Sequence, residues 1–173
     1  FGYLDDRMYT AKILSGVLGS GQSSRLFQEA REKRGLCYYI AAFNSSNMDS
    51  GVFGISSGVS AEKINELIDT IATELKKATE KISDEELNRT KIRYKTRILM
   101  AMESSSERAF SNGFDYQVFN RVKTVEEIVE KINSITKKDL YKMMEDILKT
   151  KPTITLYGDI KNAYSYDEIV KKL

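Results

Sequence analysis

Apolar positions recur at helical spacing almost from the first residue. Met8, Ala11, Ile13, Leu14 and Leu18 follow the helical period, and Asp5 or Asp6 is placed to cap the helix they predict. Gly19-Ser20-Gly21 stops it. A second helix is expected from about Ser23 to Arg34, with Gly35 suited to the left-handed residue that closes it. The period then changes. Leu36 to Phe43 is apolar on both faces and rich in Tyr and Ile, the pattern of a buried strand. Asn44 to Ser50 supplies turn residues, and Gly51 to Val59 returns as the second strand of a hairpin.

Helical patterning resumes with Ile64, Leu67, Ile68, Ile71 and Leu75, which form one apolar stripe. Ser83 and Glu86 have capping-box spacing and open a helix that runs to about Glu103. Ser104 and Glu107 repeat that spacing, so the chain is expected to bend and restart there. Thr124 with Glu127, and Thr136 with Asp139, open two more helices. Pro152 ends the helical run. Thr153 to Tyr157 reads as a late strand, and a short polar helix from about Tyr166 closes the chain. No internal repeat or low-complexity linker interrupts residues 1–173, which points to a single domain. The order of elements predicts an α+β fold, an antiparallel-rich mixed sheet with helices packed on one face.

Composition narrows the function classes. The chain has 173 residues, 41% of them hydrophobic and 30% charged, as expected of a globular domain with a proper core. Its 27 basic and 25 acidic residues nearly cancel, so no overall charge draws it to nucleic acid or to an anionic membrane. No apolar stretch approaches the roughly 20 residues of a membrane helix. The single Cys37 forbids an internal disulfide and fits a reducing, cytoplasmic setting. The chain opens at Phe1 and runs almost directly into a helix, the expectation for a piece of a longer protein.

Several motifs fail on chemistry. Gly16 to Ser23 nearly spells a phosphate-binding loop, but Gln22 stands where the lysine belongs and a helix precedes it where the motif needs a strand. With no histidine and one cysteine, the chain is expected to hold no zinc and to carry no Ser-His or Cys-His nucleophile. Asp84-Glu85-Glu86 reads as an acidic first helical turn. Tyr38, Tyr39, Phe43 and Phe53 could stack bases, but the basic residues are dispersed among acids; sheet and core packing is the expectation for Tyr39, Phe43 and Phe53.

Arg31 and Tyr38 stand apart. They flank Gly35, so a tight helix-to-strand corner would put a guanidinium and a phenol in one neighbourhood, both donors suited to the carbonyls of an extended peptide. The plainer roles are a cation at a helix C-terminus and a tyrosine filling the sheet, and spacing alone favours those.

The run from Leu18 to Glu29, LGSGQSSRLFQE, followed by Arg31 to Tyr38, REKRGLCY, resembles a signature of the pitrilysin/insulinase zinc peptidases, the relatives of mitochondrial processing peptidase. SGVFGI at Ser50–Ile55, SDEELNRTK at Ser83–Lys91, SSSERA at Ser104–Ala109 and the segment before Gly158 extend the likeness over nearly the whole chain.

That resemblance implies two homologous α+β domains closed around a chamber. The first would bind zinc through H-x-x-E-H, whose Glu activates the metal-bound water. The second, resembled here, holds no metal and supplies an Arg and a Tyr to substrate. Arg31 and Tyr38 match that pair in type and spacing. The implied protein is a zinc metalloendopeptidase whose cofactor lies in the other domain, and this chain alone is inactive. Its implied partners are the N-terminal zinc-binding half-domain, a peptide substrate, and a second copy or related subunit in a homo- or heterodimer. The alternative is a non-catalytic assembly subunit of the same family; a stand-alone binding module is a weaker third reading. Two departures stand out. Phe1-Gly2-Tyr3 is too short for the strand expected before the first helix, which would leave a sheet edge open to self-association. Gly19-Ser20-Gly21 is shorter than the glycine run of some members, so a mobile substrate-guiding loop is not carried over.

Overall fold

A computed structural model describes all residues, Phe1–Leu173. The first helix, α1 (Met8–Gly19), forms the centre of the fold and is buried at every position except Lys12. A helix with so little solvent face must be covered on both sides. The hairpin β1 (Cys37–Ser46) and β2 (Gly51–Val59) covers one side. On the other lie α3 (Asp84–Met102), α5 (Val125–Ser134) and α6 (Lys137–Leu148). Ile13, Leu14, Leu18, Leu26, Ile132, Leu140 and Met144 are the large side chains sealed in this core. The α+β class with helices on one sheet face is the observed architecture.

The close packing needs missing side chains. A Cβ on Gly19 would overlap the Ala42 backbone nitrogen, and one on Gly16 would lie 2.6 Å from Thr90 Cγ2. These two glycines let α1 press against β1 on one side and α3 on the other. The entry to α1 differs slightly from expectation: Arg7 occupies the cap position, while Asp5 Oδ1 accepts the Arg7 backbone N–H at 2.8 Å.

The outer helices follow the local signals. Capping boxes close at Ser83/Glu86, Thr124/Glu127 and Thr136/Asp139, and a fourth at Ser165/Glu168 opens α7 (Tyr166–Lys172). Ser104 caps α4 (Ser105–Phe119), so the bend after Met102 is real. The stripe on α2 (Ile64–Lys77) turns inward through Leu67 and Leu75.

Two strand expectations are corrected. β1 is not buried on both faces: from Tyr39 onward Ile40 and Ala42 point to α1, while Tyr39 and Phe43 lie on the open face. The physical reason is layering, since helices cover only one side of the hairpin. Thr153–Tyr157 is not a strand, because it forms no ladder; residues 151–159 make no backbone-to-backbone hydrogen bond. A strand exists only through a partner, and the sheet holds just β1 and β2.

Candidate functional site

The expected second helix forms, but six of its residues, Phe27–Glu32, wind as a π-helix. Such wide turns are rare and often mark functional positions. The Lys33 N–H reaches back to the Gln28 carbonyl, five residues earlier. Gly35 then turns left-handed at φ +59°, and Leu36 N–H bonds the Ala30 carbonyl at 2.8 Å, closing the C-terminus. The chain thus passes from helix to strand at a tight corner.

Arg31 sits in the last turn before this corner. Its guanidinium lies over the Phe27 ring, 4.7 Å from the centroid, one turn back along the helix. It forms no ion pair or hydrogen bond through its side chain. Its neighbours do: Lys33 pairs with Glu29, and Arg34 with Glu66.

Tyr38 lies on the far side of the corner, where the hairpin register slips. Cys37 faces Val59 but Tyr39 faces Gly58, so Tyr38 is the extra residue of a β-bulge. A bulge re-aims its side chain away from the regular pleat. Tyr38 is accordingly 84% exposed, and its hydroxyl has no partner within the chain. The corner places both residues beside one turn, yet no hydrogen bond or cation–ring contact joins them. Arg31 stacks backward and Tyr38 projects outward.

The open face of the hairpin adjoins Tyr38 and was not legible as such. Tyr39 lies over Gly58 and Phe43 over Gly54, each aromatic covering the glycine directly opposite it. The Tyr39 hydroxyl is 3.2 Å from Ser56 Oγ. A signal for this face did exist: Tyr39 and Phe43, like Gly54 and Gly58, are four residues apart and therefore share a side of their strands.

No three His, Cys, Asp or Glu side chains gather at ligating distance, and Cys37 is a free, buried thiol. Zinc does not fit this chain.

Comparison with known proteins decides the family. Residues 2–94 match the family described as the peptidase M16 inactive domain. The chain belongs to the peptidase M16 family. The earlier resemblance is therefore correct, and the M16 domain matched is the one named inactive. An uncharacterized zinc protease of Rickettsia felis is 35% identical over 153 residues, covering 88% of this chain and 37% of that protein. The chain thus spans little more than a third of the length of this relative. Among solved structures, a protease from Helicobacter pylori superposes with TM-score 0.75 and 26% identity over 84% of this chain and 35% of its own. A chain of complex III2 from Candida albicans superposes with TM-score 0.86 over 99% of this chain and 43% of its own, at 17% identity, which shows the shared fold. No helix of this M16 domain is long and apolar enough to cross a membrane.

Proposed function

We propose that this M16 domain is the metal-free, substrate-holding C-terminal domain of a zinc metalloendopeptidase. The observation that carries the proposal is the bulge at Tyr38, which turns an unpartnered hydroxyl outward beside the Arg31 corner. Arg31 anchors a backbone carbonyl of the peptide, and Tyr38 donates to a carbonyl near the scissile bond. An open edge of the hairpin accepts the extended substrate by strand addition. The family match and the zinc protease relative support this reading. In this reading zinc belongs to the other, N-terminal domain, as the family resemblance implies, and this chain has no histidine to offer it.

The residues here bind and orient; they do not hydrolyse. The same proposal includes a homo- or heterodimeric assembly and a cytoplasmic location, which size-exclusion chromatography and cell fractionation test.

Tyr38→Phe and Arg31→Ala in the intact protein test the roles. Loss of a neutral hydrogen bond lowers kcat/KM by about three- to tenfold, and loss of a charged one by about ten- to a hundredfold. Zinc content stays at the wild-type level in both. Wild-type rates in both variants would overturn the assignment. An intact protein with no peptidase activity at all would instead support the assembly-subunit reading.

A further inference from the structure

A cavity of about 580 Å³ opens between α1, β1 and α3, away from the Arg31–Tyr38 corner. Three cations line it: Lys12 from α1, and Arg93 and Arg97 from one face of α3. No aspartate or glutamate lines it. None of the three belongs to any of the chain's ion pairs. Arg93 Nη2 donates to the Gly16 carbonyl at 3.3 Å, and Lys12 Nζ has only the Tyr9 ring, 5.9 Å from its centroid.

Gathering uncompensated cations costs free energy. Burial pushes the Lys12 ammonium below its ordinary pKa, and Arg97 adds to the effect. Burial likewise lowers Arg93, with a smaller push from Arg89. Such a cluster is stable on binding an anion that neutralises it. A second anomaly lies in the same wall. Asn44 uses its Nδ2 to donate to Ser46 Oγ at 3.0 Å, but its buried Oδ1 accepts from nothing. Buried acceptors are ordinarily satisfied, so this oxygen is an unmet acceptor within the wall of the cavity.

From this juxtaposition we infer that the cavity is a binding site for a small phosphorylated molecule. Lys12, Arg93 and Arg97 hold the phosphate oxygens. Arg forks match phosphate geometry, and Lys adds a point charge. The volume exceeds one phosphate and accommodates a diphosphate or a phosphate ester. Gly16 and Ser20 of the failed phosphate-loop motif line the same cavity. The cations, however, come from Lys12 and from α3 rather than from position 22.

Titration calorimetry on the intact protein at fixed ionic strength tests the inference, with inorganic pyrophosphate and ribose 5-phosphate as probes. Saturable binding of either supports the site, and the tighter of the two identifies an inorganic or an ester ligand. Arg93→Gln, Arg97→Gln and Lys12→Gln each weaken it tenfold or more, whereas Lys151→Gln on the exposed 151–159 segment leaves it unchanged. Arg97→Lys keeps the charge though not the fork, and weakens binding less than Arg97→Gln, which separates ligand loss from misfolding. No binding at millimolar probe by the folded protein overturns the proposal, as it would if another polypeptide segment filled the cavity. Equal affinity in wild type and the three Gln variants overturns it too.

Discussion

Arg25 grips Glu86 across 61 residues of sequence, Nε to Oε1 at 2.5 Å and Nη2 to Oε2 at 2.8 Å. The same guanidinium also donates to the Lys81 carbonyl. Glu86 in turn caps α3 by accepting the Ser83 N–H at 2.8 Å. One carboxylate therefore serves a local helix start and a long-range tie to the segment that carries Arg31.

Arg25→Ala strands that carboxylate. The pair is largely shielded, with 13% and 20% of the side chains exposed, so removing one partner leaves a half-buried charge. The expected loss is about 2 kcal/mol, a fall in Tm of roughly 4–8 °C for a domain of this size. Arg25→Lys recovers less than half, because an ammonium cannot make the two-pronged contact. Thermal melts followed by circular dichroism check both variants, and an unchanged midpoint in Arg25→Ala would show the tie to be idle.

The same pair predicts an acid response. Burial alone would raise the Glu86 pKa, but the Arg25 and Ser83 hydrogen bonds outweigh it and bring the group from 4.5 down to about 2. A carboxyl depressed in the fold contributes stability that is complete above its unfolded value and is lost as pH falls through its folded value. Wild type should therefore lose urea resistance between pH 4.5 and pH 2. The gap between wild type and Arg25→Ala should narrow over that range. A gap that stays constant from pH 6 to pH 2.5 contradicts the assignment.

Two glycines that look alike in the sequence should answer oppositely to alanine. Gly19→Ala drives a methyl into the Ala42 backbone and costs about 3 kcal/mol, since neither α1 nor β1 can retreat from the core. Gly113, inside exposed α4, has nothing within 4 Å of a new Cβ. Gly113→Ala should stabilise by about 0.5–1 kcal/mol through helix propensity. Urea titrations of the two variants decide the matter.

Tyr38→Phe should leave stability within about 0.5 kcal/mol of wild type, because the hydroxyl is exposed and bonds nothing in the chain. That result lets any loss of turnover be read as lost substrate contact. A large fall in Tm would instead make Tyr38 a structural residue.

Features that depend on residues three or four apart were legible in the sequence. The capping boxes at Ser83, Thr124 and Thr136 close as their spacing predicts, and Gly35 takes the left-handed turn. The caps act within one helical turn, so nothing distant can easily overrule them. The α2 stripe and the hairpin turn are local in the same sense. The family, too, could be recognised from the run between Leu18 and Tyr38 and agrees with the match over residues 2–94.

Tertiary structure alone decided the rest. The bulge at Tyr38 arises because Cys37 and Tyr39 must pair with consecutive residues of another strand, a register no single segment contains. Tyr39 and Phe43 are exposed because helices cover only one face of the hairpin, although their residue types suit a core. Thr153–Tyr157 has strand-like alternation but lacks a partner. Arg25 meets Glu86 across 61 residues, and Lys12 shares a cavity with Arg93 and Arg97 where α3 packs on α1 near Gly16 and Thr90. Local chemistry set the starts of the capped helices, whereas strand pairing and the exposure and charge environment of each side chain came from contacts between residues far apart in the chain.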